Sequence, residues 1–382
     1  MAPKNQPAAG QPRSPNERIT ELDGLRGLLA WTVVISHILF VSGCFNQIVR
    51  RVAIFQDLAE SAVDVFMLLS GFAITHVLWH RPPVSRYFLR RTLRIAPAYY
   101  VALLAGIFLN SLLADNLHRL PAAAVAPSYL QICAIGSERL SLDAPLHFLF
   151  LHGVIPAATL PALPYTLLGV AWSLSLEVQF YLIAPAVFAV CRRWRAAWVT
   201  LLILVAVPTL YAGKIMSVFS NAFLPAKAAF FVVGGLSFFA VTRPGPPWRA
   251  GLWSLLPCLA LAFLWWRGTG RVNEALLAPI VWCLVIVAVR FDRFSWLRAW
   301  FNSRPLQLLG RISYSTYLFH APVIILLQAA IWRWVNPSST SNLLLWTAAT
   351  AVPATFFVSW ISWRGIERPF QRLGRRRRGS AS

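Results

Sequence analysis

Asp23-Gly-Leu-Arg26-Gly-Leu-Leu-Ala-Trp-Thr-Val-Val-Ile-Ser-His37-Ile-Leu-Phe40 is an apolar run that encloses one arginine and one histidine. Eleven residues at 3.6 per turn make nearly three turns, so the two share a helix face, about 16 Å apart. A phosphate-binding cation thus stands at one membrane surface, with an imidazole on the same face inside the bilayer. An ionisable group at that depth is costly, and its default reading is functional.

Composition supports the membrane half of this reading. Hydrophobic residues make up 58% and charged residues 13% of the chain, and 17 tryptophans suit membrane interfaces. Apolar stretches of spanning length lie at roughly 24–43, 61–80, 95–114, 172–191, 196–213, 223–242, 250–266, 275–290, 313–333 and 343–363. The expectation is an all-α, polytopic integral membrane protein of about ten transmembrane helices.

Residues 1–18 are polar and carry no apolar core of a signal peptide, so they read as a disordered cytoplasmic tail. All but nine of the 35 Lys and Arg fall on one side if the N-terminus is inside. The exceptions are Arg50, Arg51, Arg119, Arg139, Lys214, Lys227, Arg267, Arg271 and Arg333. This positive-inside asymmetry places both termini in the cytoplasm. The net charge of +22 is topology signal and lipid contact, since no nucleic-acid motif accompanies it. Residues 371–382 form a basic cytoplasmic tail whose Arg375 to Arg378 run is expected to anchor on anionic membrane lipids.

The five cysteines form no framework. Cys44 and Cys133 fall outside the membrane, and the reading is of unpaired apolar residues; neither Cys nor His is spaced for a metal. Segment 115–171, broken by Pro156, Pro161 and Pro164, is expected to be an external, partly re-entrant loop serving as a lid or acceptor element. His147 and His152 within it read as structural.

Asp64 and Glu177 each lie about one turn in from the outer surface, at a depth similar to His37. A carboxylate beside a histidine orients the ring and raises its basicity, as a general base requires. On the cytoplasmic side Arg86, Arg90 and Arg94 follow i, i+4, i+8 with Arg91 beside them, a stripe suited to a phosphate-rich ligand. His320, entering its span from inside at Ser313, is expected below His37, along the same channel as Tyr314.

These residues resemble the acyltransferase-3 family of membrane O-acyltransferases, which acetylate O-antigens, exopolysaccharides, nodulation factors and macrolides. The resemblance rests on motifs in family order: Leu22-Asp-Gly-Leu-Arg26 with His37; Val63-Asp-Val-Phe66 before Ser70-Gly-Phe72; Arg90-Arg-Thr-Leu-Arg94 before Pro97; Trp172-Ser-Leu-Ser-Leu-Glu177 with Tyr181; Ser313-Tyr314 through His320-Ala-Pro322; and Glu367-Arg-Pro369. It covers a membrane domain at 19–370.

The resemblance implies a cytoplasmic acyl-CoA donor, usually acetyl-CoA, with no bound cofactor. Arg26, Arg91 and Arg94 would hold that donor, joined by Arg90, Tyr314 and His320 on the depth argument, and His37 would be catalytic. The acceptor would be a hydroxyl of a surface polysaccharide or its lipid-linked oligosaccharide precursor, outside a bacterial inner membrane. The chain resembles the stand-alone members, so a polysaccharide-synthesis partner is open. In chemical terms His37 deprotonates the acceptor or accepts the acyl group itself, Asp64 or Glu177 orients it, and Trp172, Ser173 or Tyr181 steadies the oxyanion. A competing class is a transporter or flippase for a lipid-linked glycan, but no internal repeat accompanies the spans.

Overall fold

The computed structural model describes residues 19–42, 57–116, 127–194, 196–243, 247–291 and 294–376. In chain order the helices are α1 (Glu21–Val41), α2 (Leu58–Trp79), α3 (Val84–Asn116), α4 (Pro127–Glu138), α5 (Leu140–Phe148), α6 (Trp172–Arg193), α7 (Ala196–Leu210) and α8 (Ala212–Phe219). There follow α9 (Leu224–Thr242), α10 (Pro247–Thr269), α11 (Val272–Arg290), α12 (Ser295–Phe301), α13 (Arg304–Trp334), α14 (Thr340–Ser362) and α15 (Arg368–Arg376). The architecture is that of an all-α, multi-pass membrane protein.

Among the described residues eight helices are long and apolar enough to cross a membrane, or nine if the α7–α8 pair, bent by 71°, is counted as one span. Helix α10, one of the apolar stretches read from sequence, is not among them, because its run is diluted by Pro257, Trp265, Trp266 and Arg267. That helix nonetheless runs between the same two ends of the bundle, from Trp253 beside Arg243 to Trp265 under Lys227.

Two helix pairs form the frame. Contacts between α1 and α13 ascend together, from Thr20 with Gln307, through Gly27 with Gly310 and His37 with His320, to Val41 with Gln328. The two helices are therefore parallel and begin at the same end. The other pair, α2 and α9, runs the opposite way, from Asp64 with Lys227 to Trp79 with Phe239. Lipid tails supply no hydrophobic drive for helix association, so close packing at small residues must. A Cβ on Gly27 would lie 2.6 Å from the Gly310 nitrogen, and one on Gly234 would strike the Leu68 carbonyl.

Both described ends of the chain open on one face. Gln307 donates to the Thr20 carbonyl (2.8 Å) and Arg90 Nε to the Gly374 carbonyl (3.3 Å), so the starts of α1, α3 and α13 meet α15 there. We call this the basic end and the opposite one the far end. The terminal arginines beyond 376 and Cys44 lie outside the described residues, and Cys133 is buried, its thiol donating to Asn110 Oδ1 (3.4 Å).

Segment 127–171, expected as a loop, is a packed cap at the far end. Tyr99 and Tyr100 of α3 donate to the carbonyls of His147 (2.9 Å) and Phe148 (3.1 Å), and Asn110 donates to that of Thr166 (2.5 Å). His147 and His152 stack face to face at 4.2 Å, and their Nε2 atoms hydrogen-bond the Leu163 and Ala171 carbonyls. Burial holds the His147 imidazole well below its usual range and His152 at about 4, so both are neutral struts of the cap. Of the prolines that read as loop signals, Pro161 adjoins a left-handed turn at Ala162, and a second such turn lies at Phe150.

The glycine seam gives the first test. Gly234→Leu drives a side chain into the α2 backbone, and overpacking of this kind costs about 1–3 kcal/mol or more. Thermal unfolding in detergent should shift down by several degrees relative to Ala228→Leu on the same helix; an unchanged midpoint would contradict this packing.

Candidate active site

Helix α1 brings Arg26 and His37 to two separate cavities. At the basic end a cavity of about 740 Å³ is lined by Arg26, Arg91, Arg94, Glu177, Tyr181 and Tyr314. Arg26 and Arg94 also line a vestibule of about 1760 Å³, joined there by Arg311, Arg368, Arg372 and Arg375. The Arg91 guanidinium lies 5.1 Å from the Tyr181 ring centre, a cation–π contact that holds it against α6. Tyr314 donates to the Ile95 carbonyl (2.8 Å), fixing α13 against α3. Asp23 and Glu367 are the carboxylates of the vestibule, and Glu367 accepts from Ser315 (3.0 Å) and Gln371 (2.9 Å).

At the far end a second pocket, of about 1020 Å³, contains His37, Asn110, Tyr165 and Trp172 among apolar neighbours. His37 Nδ1 lies 2.9 Å from the Val33 carbonyl one turn earlier. A carbonyl only accepts, so Nδ1 carries the proton and Nε2 keeps its lone pair. This is the tautomer that a base needs, set by backbone.

Between the cavities stands a thin septum. Tyr317 lines the basic cavity, and its hydroxyl donates to the Val170 carbonyl (2.9 Å) and accepts from Ser173 (2.7 Å). Ser173 faces the basic cavity, whereas its neighbour Trp172 faces the far pocket. His320 sits behind Tyr317 at 6.0 Å between ring centres and against His37 at 4.8 Å. Its Nδ1 bonds the Thr316 carbonyl (3.1 Å), and its buried Nε2 meets no partner among the described residues.

Several positions differ from the sequence reading. Asp64 does not orient His37: its Oδ1 lies 2.6 Å from Lys227 Nζ, and both side chains are fully buried. Lys227 was counted as an external charge because it lies near a span end. It instead bridges to Glu60 (3.0 Å) beneath the rings of Trp172, Phe230 and Trp265, and Glu60 leads through Arg271 to Glu274. Glu177 accepts from Ser70 and belongs to the arginine cavity rather than the histidine pocket. Arg90, one residue round the helix from Arg91, turns to α15 and does not line the cavity.

His320 lies beside His37, not below it, because α13 begins at Arg304, well before Ser313, and so carries His320 deeper. Lys227 as an ion-pair partner, Tyr317 as a septum residue, and Arg311, Arg368 and Arg372 as vestibule residues were not singled out from sequence. The available signal for Lys227 was a lone lysine in the first turn of an apolar run rich in Phe, where a bilayer demands an acidic partner.

Residues 19–364 match the family described as acyltransferase domain. The chain is 26% identical to the peptidoglycan O-acetyltransferase OatA of Listeria monocytogenes, over 93% of its own length and 56% of that protein's. The chain thus spans little more than half of that relative. It is 25% identical to the putative membrane-bound transacylase BcsY of Komagataeibacter xylinus, over 86% of this chain and 79% of the other. With Nodulation protein 10 of Rhizobium leguminosarum it shares 26% identity, over 83% of this chain and 84% of the other. No solved structure matches. The chain belongs to the acyltransferase domain family.

The buried ion pair makes a testable demand. Lys227→Met leaves Asp64 as an unpaired buried charge, at a cost of about 3–5 kcal/mol. The double variant Lys227→Met with Asp64→Leu removes that penalty, so its thermal midpoint in detergent should recover most of the loss. Equal unfolding of single variant and wild type would show that the pair is solvated.

Proposed function

We propose that this member of the acyltransferase domain family moves an acyl group, acetyl in the simplest case, from acyl-CoA at the basic end to a hydroxyl at the far end. The acceptor is a cell-surface polysaccharide or its lipid-linked precursor. The observation that carries the reading is that one rigid helix, α1, ends in two cavities. One is lined by Arg26, Arg91 and Arg94, the other holds a histidine with a free Nε2, and only the Tyr317–Ser173 septum parts them. A transporter has no need of a cation cluster aligned with a base.

In this reading the basic end is cytoplasmic, as the charge asymmetry requires. Vestibule arginines hold the nucleotide phosphates, and the pantetheine arm threads past Tyr181 and Tyr314 toward the septum. His37 Nε2 takes the proton of the acceptor hydroxyl, whose oxygen attacks the thioester carbonyl. The C–S bond breaks and the proton passes to the departing thiolate. The same lone pair serves if the acyl group rests first on His37. Ser173 or Tyr317, at the septum, would donate to the oxyanion by exchanging its present bond to Tyr317 or to the Val170 carbonyl.

Asp64 supports the far pocket indirectly, since its partner Lys227 lies under Trp172, which walls that pocket. Glu177 and Ser70 balance charge inside the arginine cavity. The relative named as a peptidoglycan O-acetyltransferase supports a saccharide acceptor. The localisation that follows is a bacterial inner membrane.

Substitution separates the two ends. His37→Ala should lower transfer by about 10²–10⁴-fold with donor binding intact, the usual contribution of a general base. Arg94→Ala should weaken donor affinity more than tenfold, since charged hydrogen bonds contribute about 1.5–3 kcal/mol. Both are read from donor and acceptor KM and kcat on purified protein. Retention of a tenth of the activity in His37→Ala, or an acceptor KM that rises alone in Arg94→Ala, would overturn the assignment.

A further inference from the structure

A second recess lies at the basic end, further along α6 than the arginine cavity. Arg81 follows the last turn of α2, Arg192 stands in the last turn of α6 and Arg243 caps α9. All three line one recess of about 950 Å³, together with Trp79, Trp198 and Phe239. No carboxylate lines it among the described residues. Each arginine stands at the end of a helix, whose C-terminus carries only roughly half a negative charge, so the recess keeps a net positive charge.

The aromatic residues are arranged as a collar. Phe239 touches Trp79 at 5.7 Å and Trp198 at 6.4 Å between ring centres, and Arg243 packs over Phe239 at 4.7 Å and over Trp253 at 5.3 Å. Tryptophans with arginines at the ends of spans mark the depth of lipid headgroups. From this collar an apolar cleft of about 720 Å³ runs into the membrane between α2, α6, α7 and α9. The recess and the cleft share Phe188, Cys191, Trp198 and Phe239, so they adjoin. Thr75 and Cys191 are the polar side chains among the residues that line the cleft.

We propose that the recess and cleft together bind one anionic phospholipid, with its phosphate on Arg81, Arg192 and Arg243 and an acyl chain in the cleft. Charge selects the headgroup and the apolar channel selects an amphiphile over a free anion. A zwitterionic lipid offers the same phosphate but adds a cation that three arginines without a carboxylate repel. The site touches neither cavity of the transfer reaction, so it stands or falls independently of the activity proposed above.

The test is native mass spectrometry of delipidated full-length protein titrated with phosphatidylglycerol, phosphatidylcholine or inorganic phosphate. We expect one phosphatidylglycerol to bind at least tenfold more tightly than phosphatidylcholine. The triple variant Arg81→Gln, Arg192→Gln, Arg243→Gln should lose at least tenfold of that affinity, whereas Arg333→Gln, at the far end, should lose none. Ala228→Phe narrows the cleft and should weaken the lipid with no change in phosphate binding. Equal affinity for the two lipids, or an unaffected triple variant, overturns the site. Phosphate that competes fully, with Ala228→Phe silent, shows an anion site without a lipid chain and overturns the lipid assignment. Thermal unfolding of each variant separates loss of binding from loss of fold.

Discussion

The close, parallel contact of α1 with α13 governs the rest of the arrangement. Gly27 and Gly310 bring the two backbones together where a single Cβ would meet an amide or a carbonyl, and Gly24 packs against Phe301 of α12. That contact sets the register, and the register decides which residues of α13 meet His37. With α1 held rigidly, Arg26 and His37 are fixed nearly three turns apart, and each opens into a different cavity. The septum between them is supplied by α13 and the start of α6, through Tyr317 and Ser173. A distance built into one helix thus becomes the distance between two chemical compartments.

The bilayer makes every buried charge a structural question first. Lys227 answers it with two carboxylates and three aromatic rings, and the same cluster braces Trp172 at the wall of the histidine pocket. His37 needs no carboxylate because the Val33 carbonyl already fixes its tautomer. In the proposed reaction this division suits a bulky acceptor: the ionic groups stand behind the wall, and the His37 nitrogen stands in front.

Much of this was legible in the chain. Apolar run lengths located the helices, and the eleven-residue step from Arg26 to His37 gave their common face because helical period and rise are fixed. Charge asymmetry placed both termini together, and the described ends do open on one face. Long-range partners were not legible. Asp64 and Lys227 are 163 residues apart, and nothing local marks one for the other. The depth of His320 was misjudged because the start of α13 was set at the apolar boundary, whereas the helix extends through the polar residues from Arg304. Pro156, Pro161 and Pro164 read correctly as breaks but concealed a packed cap, since turns say where a chain bends and not what it then covers.

The central claim is that donor and acceptor meet from opposite faces of the membrane. It is tested most directly in sealed proteoliposomes of known orientation, with acetyl-CoA confined to the side of the basic end and an impermeant saccharide acceptor on the other. The account predicts acetylated product only in that arrangement. Product formed with both substrates on the basic side, and none across the membrane, would contradict it.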